Sequence, residues 1–211
     1  MTRWRHATEV FSEWGQSERS EGMQRGHAPA VEEMLARALP TLDHPSGFTA
    51  IDAGCGNGWV VRILDAMPRC THAIGIDGAR GMIEKARRLD PKGTYLLDDL
   101  SSWDPTEPVD LVHSMEVLYY LEDPSAFLER LVGTWLRPGG TLIIGLDHYE
   151  ENPDCHDWQE AVGTRMLMRS EQEWVAMIDA AGFVSIESWR AAPRGGAGTL
   201  AILARRPEAE G

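Results

Sequence analysis

Residues 50–59 read Ala50-Ile-Asp-Ala-Gly-Cys-Gly-Asn-Gly-Trp59. A short apolar run meets an acid, Asp52, and is followed by glycine at alternate positions, Gly54, Gly56 and Gly58. Glycine tolerates positive φ and leaves the main chain bare, so a ligand can lie directly against it. In an open α/β sheet the loop after the first strand sits at the carboxyl edge, where ligands bind. A dinucleotide fingerprint, G-x-G-x-x-G, would need its third glycine at position 59. That position holds Trp59, so D-x-G-x-G-x-G fits a nicotinamide cofactor poorly.

Outward from this loop the chain alternates short apolar runs with segments of helical period, the signature of βαβ units and a parallel sheet. TAIDA (49–53), HAIGI (72–76), TYLL (94–97), VDLVHS (109–114) and TLIIGL (141–146) read as strands. Val60, Ile63, Leu64 and Met67 mark a helix stopped by Pro68; Met82, Ile83, Ala86 and Leu89 mark a second, closed by Asp90-Pro91. Asp123 reads as an N-cap with Pro124 at the first helical position. Phe127, Leu128, Leu131 and Trp135 form the buried stripe of that helix, and Arg137-Pro138-Gly139-Gly140 ends it.

Towards the C-terminus, Ser170 to Glu173 is a capping box, followed by Trp174, Met177, Ile178 and Ala181, with Gly182 as the stop. FVSIESW (183–189) alternates like a strand with one wet face, and GTLAILAR (198–205) reads as another. The link between them is too short for a parallel crossover, so the two are expected to form an antiparallel pair at a sheet edge. RRPEAEG (205–211) reads as a frayed tail. Upstream of residue 50, Pro29 is placed in the first turn of a helix whose apolar stripe is Val31, Met34, Leu35, Ala38 and Leu39; Trp4, Phe11 and Trp14 are candidate anchors for residues 1–26.

At 211 residues the chain suits a single domain that needs no cross-links. Its three cysteines, Cys55, Cys70 and Cys155, have unrelated spacings, which suits a reducing, cytoplasmic setting. The opening residues carry charges and no apolar run, unlike a secretory signal, and no stretch approaches a membrane span. The net charge of −13 disfavours nucleic acid and anionic lipid as partners, because both are bound through Lys and Arg.

Further stretches now make a resemblance. AIDAGCGNG, IGIDGARGMIEKAR (74–87), YLLDDLSSW (95–103), VDLVHSMEVLYYLEDP (109–124) and LRPGGTLII (136–144) stand in order and at suitable distances. Together they resemble the class I S-adenosylmethionine-dependent methyltransferases, over roughly 48–150 and again over 170–205. The resemblance implies a Rossmann-like, doubly wound α/β fold. Its sheet would be mostly parallel and seven-stranded, with helices on both faces and a C-terminal antiparallel hairpin. It also implies S-adenosyl-L-methionine as cofactor. Asp52 and the loop Gly54-Cys55-Gly56, with Gly58, would take the amino-acid end. Asp77 would accept from the ribose hydroxyls, with Gly78 and Met82 beside it. Asp98 or Asp99 would accept from the adenine amino group, Leu100 would lie against the ring, and Ser114 would present its carbonyl near the sulfonium. The cofactor carries cationic groups and no phosphate, which suits an acidic loop without a basic clamp.

The acceptor side is less sharply written. SMEVLYYL (114–121) lacks the Asn/Asp-Pro-Pro-aromatic signature of nucleobase methylation and resembles the small-molecule branch of the family. Glu116, Tyr119, Tyr120, His148 and Tyr149 are candidates for the substrate wall. His148 is a candidate base because its unperturbed pKa lies near neutrality. Glu116 and Tyr119 are the other catalytic candidates. His27 could reach the same cleft, His113 reads as a structural strand residue, and Trp103 as packing rather than an adenine platform. Cys155-His156-Asp157, even with His148, matches no zinc spacing, so no metal is expected. Residues 1–47 are expected to form a helical cap and 148–169 a substrate-side insert of one domain, 1–211, because both flank the cleft. Two other readings stay open at this point: a nicotinamide-dependent oxidoreductase, and a non-catalytic relative that keeps the fold. Oligomeric state is not legible.

Overall fold

The structure, a computed structural model, describes residues 4–42, 46–193 and 196–209. Strands β1 (Phe48–Ala53), β2 (Cys70–Asp77), β3 (Thr94–Leu97), β4 (Val109–Met115), β5 (Leu136–Leu146), β6 (Val184–Ala191) and β7 (Thr199–Arg205) form one sheet. Their order is β3-β2-β1-β4-β5-β7-β6. The first five run parallel, and β7 lies antiparallel to both β5 and β6. The chain winds outward from β1 in one direction and from β4 in the other. The point where winding reverses is therefore the gap between β1 and β4, where such sheets open a crevice.

The helices are α1 (Ala7–Gly15), α2 (Arg19–Ala38), α3 (Trp59–Asp65), α4 (Arg80–Leu89), α5 (Pro124–Arg130), α6 (Trp158–Val162) and α7 (Glu171–Ala180). Alternation along the central strands sorts their side chains into two cores. Ile51, Val112, Ile144 and Ile202 pack with Phe127, Leu128, Trp174 and Ile178 from α5 and α7. Ala50, Leu111, Ile143 and Ala201 pack with Val31 and Leu35 of α2, Val61 and Leu64 of α3, and Ile83 of α4. Helices on both faces explain why these strands read as continuous apolar runs rather than alternating ones.

Several local expectations are corrected. Helix α2 begins about three turns before Pro29, which lies in its interior; the polar first half, Arg19 to His27, hid that start from an apolar-period reading. In α3 the inward residue is Val61, while Ile63 is 39% exposed; Leu89 at the end of α4 is 52% exposed. Strand β5 begins at Leu136, so Arg137–Gly140 belongs to its irregular first section rather than to a separate stop, and a five-residue π-turn, Leu131–Trp135, precedes it. Strand β6 does not keep one wet face. It is the outermost strand and has a register shift between Val184 and Glu187, with Ser185 at φ 51°. The tail is not frayed at its start, since Arg206 N donates to Gly140 O at 2.9 Å. The last two residues of that expected tail, and Arg194-Gly195 of the hairpin link, lie outside the described residues.

The two N-terminal helices are built into the fold differently. Helix α2 lies against β5, β6 and β7. Helix α1 crosses α4 almost backbone to backbone: a Cβ on Gly81 would fall 2.0 Å from Ser12 O, and one on Gly15 would fall 2.4 Å from the Gly81 carbonyl carbon. Gly81 N also donates to Ser12 Oγ at 2.9 Å. Only glycine on both sides lets α1 sit this close, and from there it roofs the carboxyl edge of the sheet.

Candidate functional site

A cavity of about 1050 Å³ opens at the carboxyl ends of β1, β2 and β4, beneath α1 and the first half of α2. Its size accommodates a nucleoside together with a second small molecule.

The loop after β1 forms one wall. It is pinned from below, because Gly54 N and Cys55 N both donate to Ile76 O, at 2.8 and 3.0 Å. The loop glycines have different duties. Gly56, at φ 53°, faces open space, where an added Cβ would meet nothing within 4 Å. Gly58, by contrast, starts α3 and is packed: a Cβ there would lie 2.3 Å from the Tyr95 ring. Gly54, Cys55 and Gly56 line the cavity; Gly58 does not. The Cys55 thiol is buried, and burial holds its pKa well above the usual range, so it is no nucleophile.

The acids follow. Asp52 is buried at the end of β1, with Oδ1 2.7 Å from His113 Nδ1. Its Oδ2 has no hydrogen-bond partner among the described residues, and the residue lines the cavity. Asp77 accepts from Ala79 N at 2.7 Å and from Gly56 N at 2.9 Å, one amide on each oxygen. Burial raises its pKa to about 6, against the pull of those two amides. Gly78, Met82 and Leu100 also line the cavity.

Asp98 and Asp99 are both exposed at the rim. Asp99 Oδ1 accepts from Ser101 N and Oγ, at 2.8 and 2.7 Å, and the Ser101 amide leads in holding its pKa low. Both residues line the cavity, so its geometry does not choose between them.

The side chain of Ser114 is turned into the sheet. Its hydroxyl donates to Ala53 O at 2.9 Å between β4 and β1, and it is not a lining residue; Met115 and Glu116 occupy the strand end instead.

Glu116 anchors the other end. It sits at φ 60°, rare for a residue with a side chain. Its Oε2 accepts from Tyr119 Oη at 2.5 Å and its Oε1 from Asp147 N. Burial first, then the charge of Asp147, raises its pKa to about 8. His27 Nε2 reaches to 3.4 Å from Asp147 Oδ2. Burial opposes charge on His27, but the hydrogen bond to Asp147 and the fields of Glu116 and Asp147 together raise its pKa. Ligating atoms of His27, Glu116 and Asp147 all lie within 4.8 Å of one another.

His148, the candidate base, is buried behind this wall and does not line the cavity. Its ring lies 5.1 Å from Tyr119 and 6.4 Å from Trp158, and burial lowers its pKa. The adjacent Asp147 is not a lining residue either, but it points the opposite way, into the cluster with His27 and Glu116. Tyr149 likewise turns away, donating to Gly198 O at 2.7 Å. Trp103 packs edge-on against Trp135 at 5.0 Å, outside the cavity. Tyr120 and Tyr119 line it, with Phe11, Trp14 and Trp158 completing an aromatic surround. Cys155 and His156 are engaged with loop carbonyls rather than with each other. Asp147 and Asn57 escaped the sequence reading, and Phe11 and Trp14 were expected as anchors of residues 1–26 rather than as cavity walls; the position of Asp147 directly after β5 was the signal available.

The residues present fit S-adenosylmethionine on three counts. The ligand's ammonium would meet a buried acceptor, Asp52 Oδ2, that is unpartnered among the described residues; a bare backbone stretch at Gly56 opens to the cavity; and a second acid, Asp77, stands at the end of the neighbouring strand.

Comparison with known proteins agrees. The model of a methyltransferase domain matches residues 21–188. The trans-aconitate 2-methyltransferase of Azoarcus sp. (strain BH72) is 29% identical over 154 residues, 73% of this chain and 59% of that protein. The trans-aconitate 2-methyltransferase of Methylobacterium radiotolerans is 37% identical over 116 residues, 55% of this chain and 42% of that protein. The chain thus spans 59% or less of the length of these two curated relatives. Among solved structures, a chain from the complex of the Haloferax volcanii Trm112 methyltransferase activator with a methyltransferase superposes with TM-score 0.83 at 27% identity, over 95% of this chain and 99% of that one. With the glycine loop, the strand order and the family model in agreement, the chain belongs to the class I S-adenosylmethionine-dependent methyltransferase domain family.

Proposed function

We propose that the chain is an enzyme that transfers a methyl group from S-adenosylmethionine to a small-molecule acceptor held under α1 and α2. The observation that carries this reading is the cavity's division. The bare Gly56 backbone and Asp52 Oδ2 stand at one end, and Glu116, Tyr119 and His27 at the other. The cofactor, when bound, supplies a methyl group made electrophilic by its sulfonium. Asp52 Oδ2 accepts from the ligand ammonium. The spare lone pairs of Asp77 accept from ribose hydroxyls, while its two amide donors hold the carboxylate in place. Asp98 and Asp99, with Leu100 and Met82, form the adenine end. Displacement at carbon needs donor and acceptor held in line, and that alignment is the protein's main contribution.

Glu116 is the group placed to hold the acceptor's proton, since His148 lies behind Tyr119 and Trp158. Specificity is assigned to the 1–47 cap and the 148–169 insert, which add Phe11, Trp14, His27, Trp158 and Val162 to the cavity of a single domain. No helix among the described residues is long and apolar enough to cross a membrane. Cys55, Cys70 and Cys155 are all free, consistent with the cytoplasmic setting proposed. A buried cleft in a chain of net charge −13 favours a metabolite over nucleic acid.

Calorimetric titration with S-adenosylhomocysteine and, separately, with a nicotinamide dinucleotide tests the cofactor; binding of the dinucleotide alone would overturn it. Release of S-adenosylhomocysteine in the presence of pooled metabolites tests turnover. Binding without release across broad pools would favour a non-catalytic relative.

A further inference from the structure

The cavity that holds the acceptor is short of positive charge. Among the described residues its lining carries seven carboxyl side chains against one arginine, Arg80, three histidines and no lysine. Acceptor oxygens are in surplus as well. Among the described residues, Asn57, 2% exposed and part of the lining, has Oδ1 unpartnered, and Asp147 Oδ1 is buried without a donor. Asp147 is not itself a lining residue but backs two that are, 3.4 Å from His27 Nε2 and with its amide on Glu116, and its side chain stays 20% exposed. The field at this end already favours a cation: His27, resting against Asp147, gains affinity for its proton despite burial.

Rings complete the enclosure. Phe11 stands 5.1 Å from both Trp14 and Tyr120, edge to face, and Trp158 closes the far side. Aromatic faces attract ammonium groups, by about 0.5–2 kcal/mol. A polycarboxylate, the acceptor named for the Azoarcus and Methylobacterium relatives, would meet like charge, with Arg80 and three histidines as the basic side chains of the lining among the described residues.

We propose that the acceptor of this chain is a small organic amine, bound as its ammonium between Glu116 and Asp147 and walled by Trp14, Tyr120 and Trp158. The inference rests on the methyltransferase reading and adds the substrate class to it. The ammonium first gives a proton to the Glu116–Asp147 carboxylate pair or to solvent. The freed nitrogen lone pair then forms the N–C bond as the S–C bond of S-adenosylmethionine breaks, its electron pair staying on sulfur. The methylated ammonium is the product, beside neutral S-adenosylhomocysteine. An ammonium suits the cluster better than a divalent ion. Glu116 already accepts a hydrogen bond on each oxygen, and the cluster opens onto rings instead of closing round an ion with further oxygen ligands.

The test is calorimetry on the protein saturated with S-adenosylhomocysteine. Benzylamine, phenethylamine, tyramine, trans-aconitate, magnesium chloride and zinc chloride are the probes. At least one amine should bind and trans-aconitate should not. Glu116→Gln and Asp147→Asn should each weaken the amine about tenfold or more, while leaving S-adenosylhomocysteine within about twofold. Melting temperatures close to that of the parent would show that the variants fold. Should either unfold, Tyr119→Phe, which keeps the ring and removes the donor to Glu116, should weaken the amine as well. Binding of trans-aconitate, of none of the amines, or of a metal ion lost on Glu116→Gln would overturn the proposal. Failure to bind S-adenosylhomocysteine at all would strike instead at the methyltransferase reading.

Discussion

The amide of Gly56 donates to Asp77 Oδ2 at 2.9 Å, so the loop after β1 and the acid ending β2 hold each other in place. With Ala79 N on the other oxygen, the carboxylate has no rotational freedom left and presents only its remaining lone pairs to the cavity. A side chain that would recognise the ribose is thus also a strut of the loop that would carry the methionyl end.

Replacing Asp77 with alanine should accordingly weaken S-adenosylhomocysteine by about 1–3 kcal/mol, or roughly 5- to 150-fold, through lost charge-assisted bonds. The pH dependence has a definite sign. Asp77 titrates near 6 in the free protein, and hydroxyl donors favour its ionised form. Affinity should therefore fall as pH drops through about 6 in the parent and stay flatter in Asp77→Asn. Calorimetry between pH 5 and about 8 reads both effects, and an unchanged dissociation constant in Asp77→Ala would refute the assignment.

The loop glycines separate binding from folding. Gly56→Val places its side chain in open cavity space, so S-adenosylhomocysteine binding should be abolished, while the positive φ costs about 1–3 kcal/mol of stability. Gly58→Ala drives a methyl group into Tyr95, so its damage should appear mainly as a lowered melting temperature. Thermal unfolding with and without ligand distinguishes the pair; a Gly56→Val protein that still binds would sink the cradle.

How far the sequence carried these conclusions depends on the kind of signal. The parallel strands, the capping box at Ser170 and the N-cap at Asp123 were legible because period and local capping chemistry write themselves into neighbouring residues. Asp52, Gly56 and Asp77 were legible because family motifs mark them. Helix α1 and the first half of α2 were not, since their partners are distant: Gly81 for α1 and the sheet for α2. His148 lies off the cavity for a narrower reason. At the end of β5 a single step in sequence decides whether a side chain joins His27 and Glu116, as Asp147 does, or is buried away from them, and only the register settles which.

The α1–α4 crossing gives a third prediction. Alanine at position 81 raises helix propensity by about 1 kcal/mol. Its methyl group nevertheless meets Ser12 O at 2.0 Å, which no rotamer change relieves. Gly81→Ala should lift α1 away, speeding amide exchange over residues 7–15 while α4 stays protected. Unchanged protection of α1 would show that the roof is held by other contacts.

Glu116 makes the last prediction. Its folded pKa, about 8, lies above the ordinary glutamate value of 4.5, so the folded protein binds this proton more tightly than the unfolded chain does. Ionised Glu116 therefore opposes folding. Its cost is absent below about 4.5, grows as pH rises, and is complete above about 8, reaching up to a few kcal/mol. Asp77 acts in the same direction but is spent by about 6; above that His27, its pKa raised from 6.5, contributes with the same sign, so the share of Glu116 is read as the difference between the parent and Glu116→Gln. In ligand-free protein, Glu116→Gln should be close to the parent in melting temperature near pH 5 and increasingly more stable than it towards pH 9. A bound ammonium neutralises the same cost, so saturation with an amine that binds should shrink the gap at high pH. A gap that is constant across the range would mean that Glu116 is already compensated in the folded chain, and that the acid end of the cavity awaits no cation.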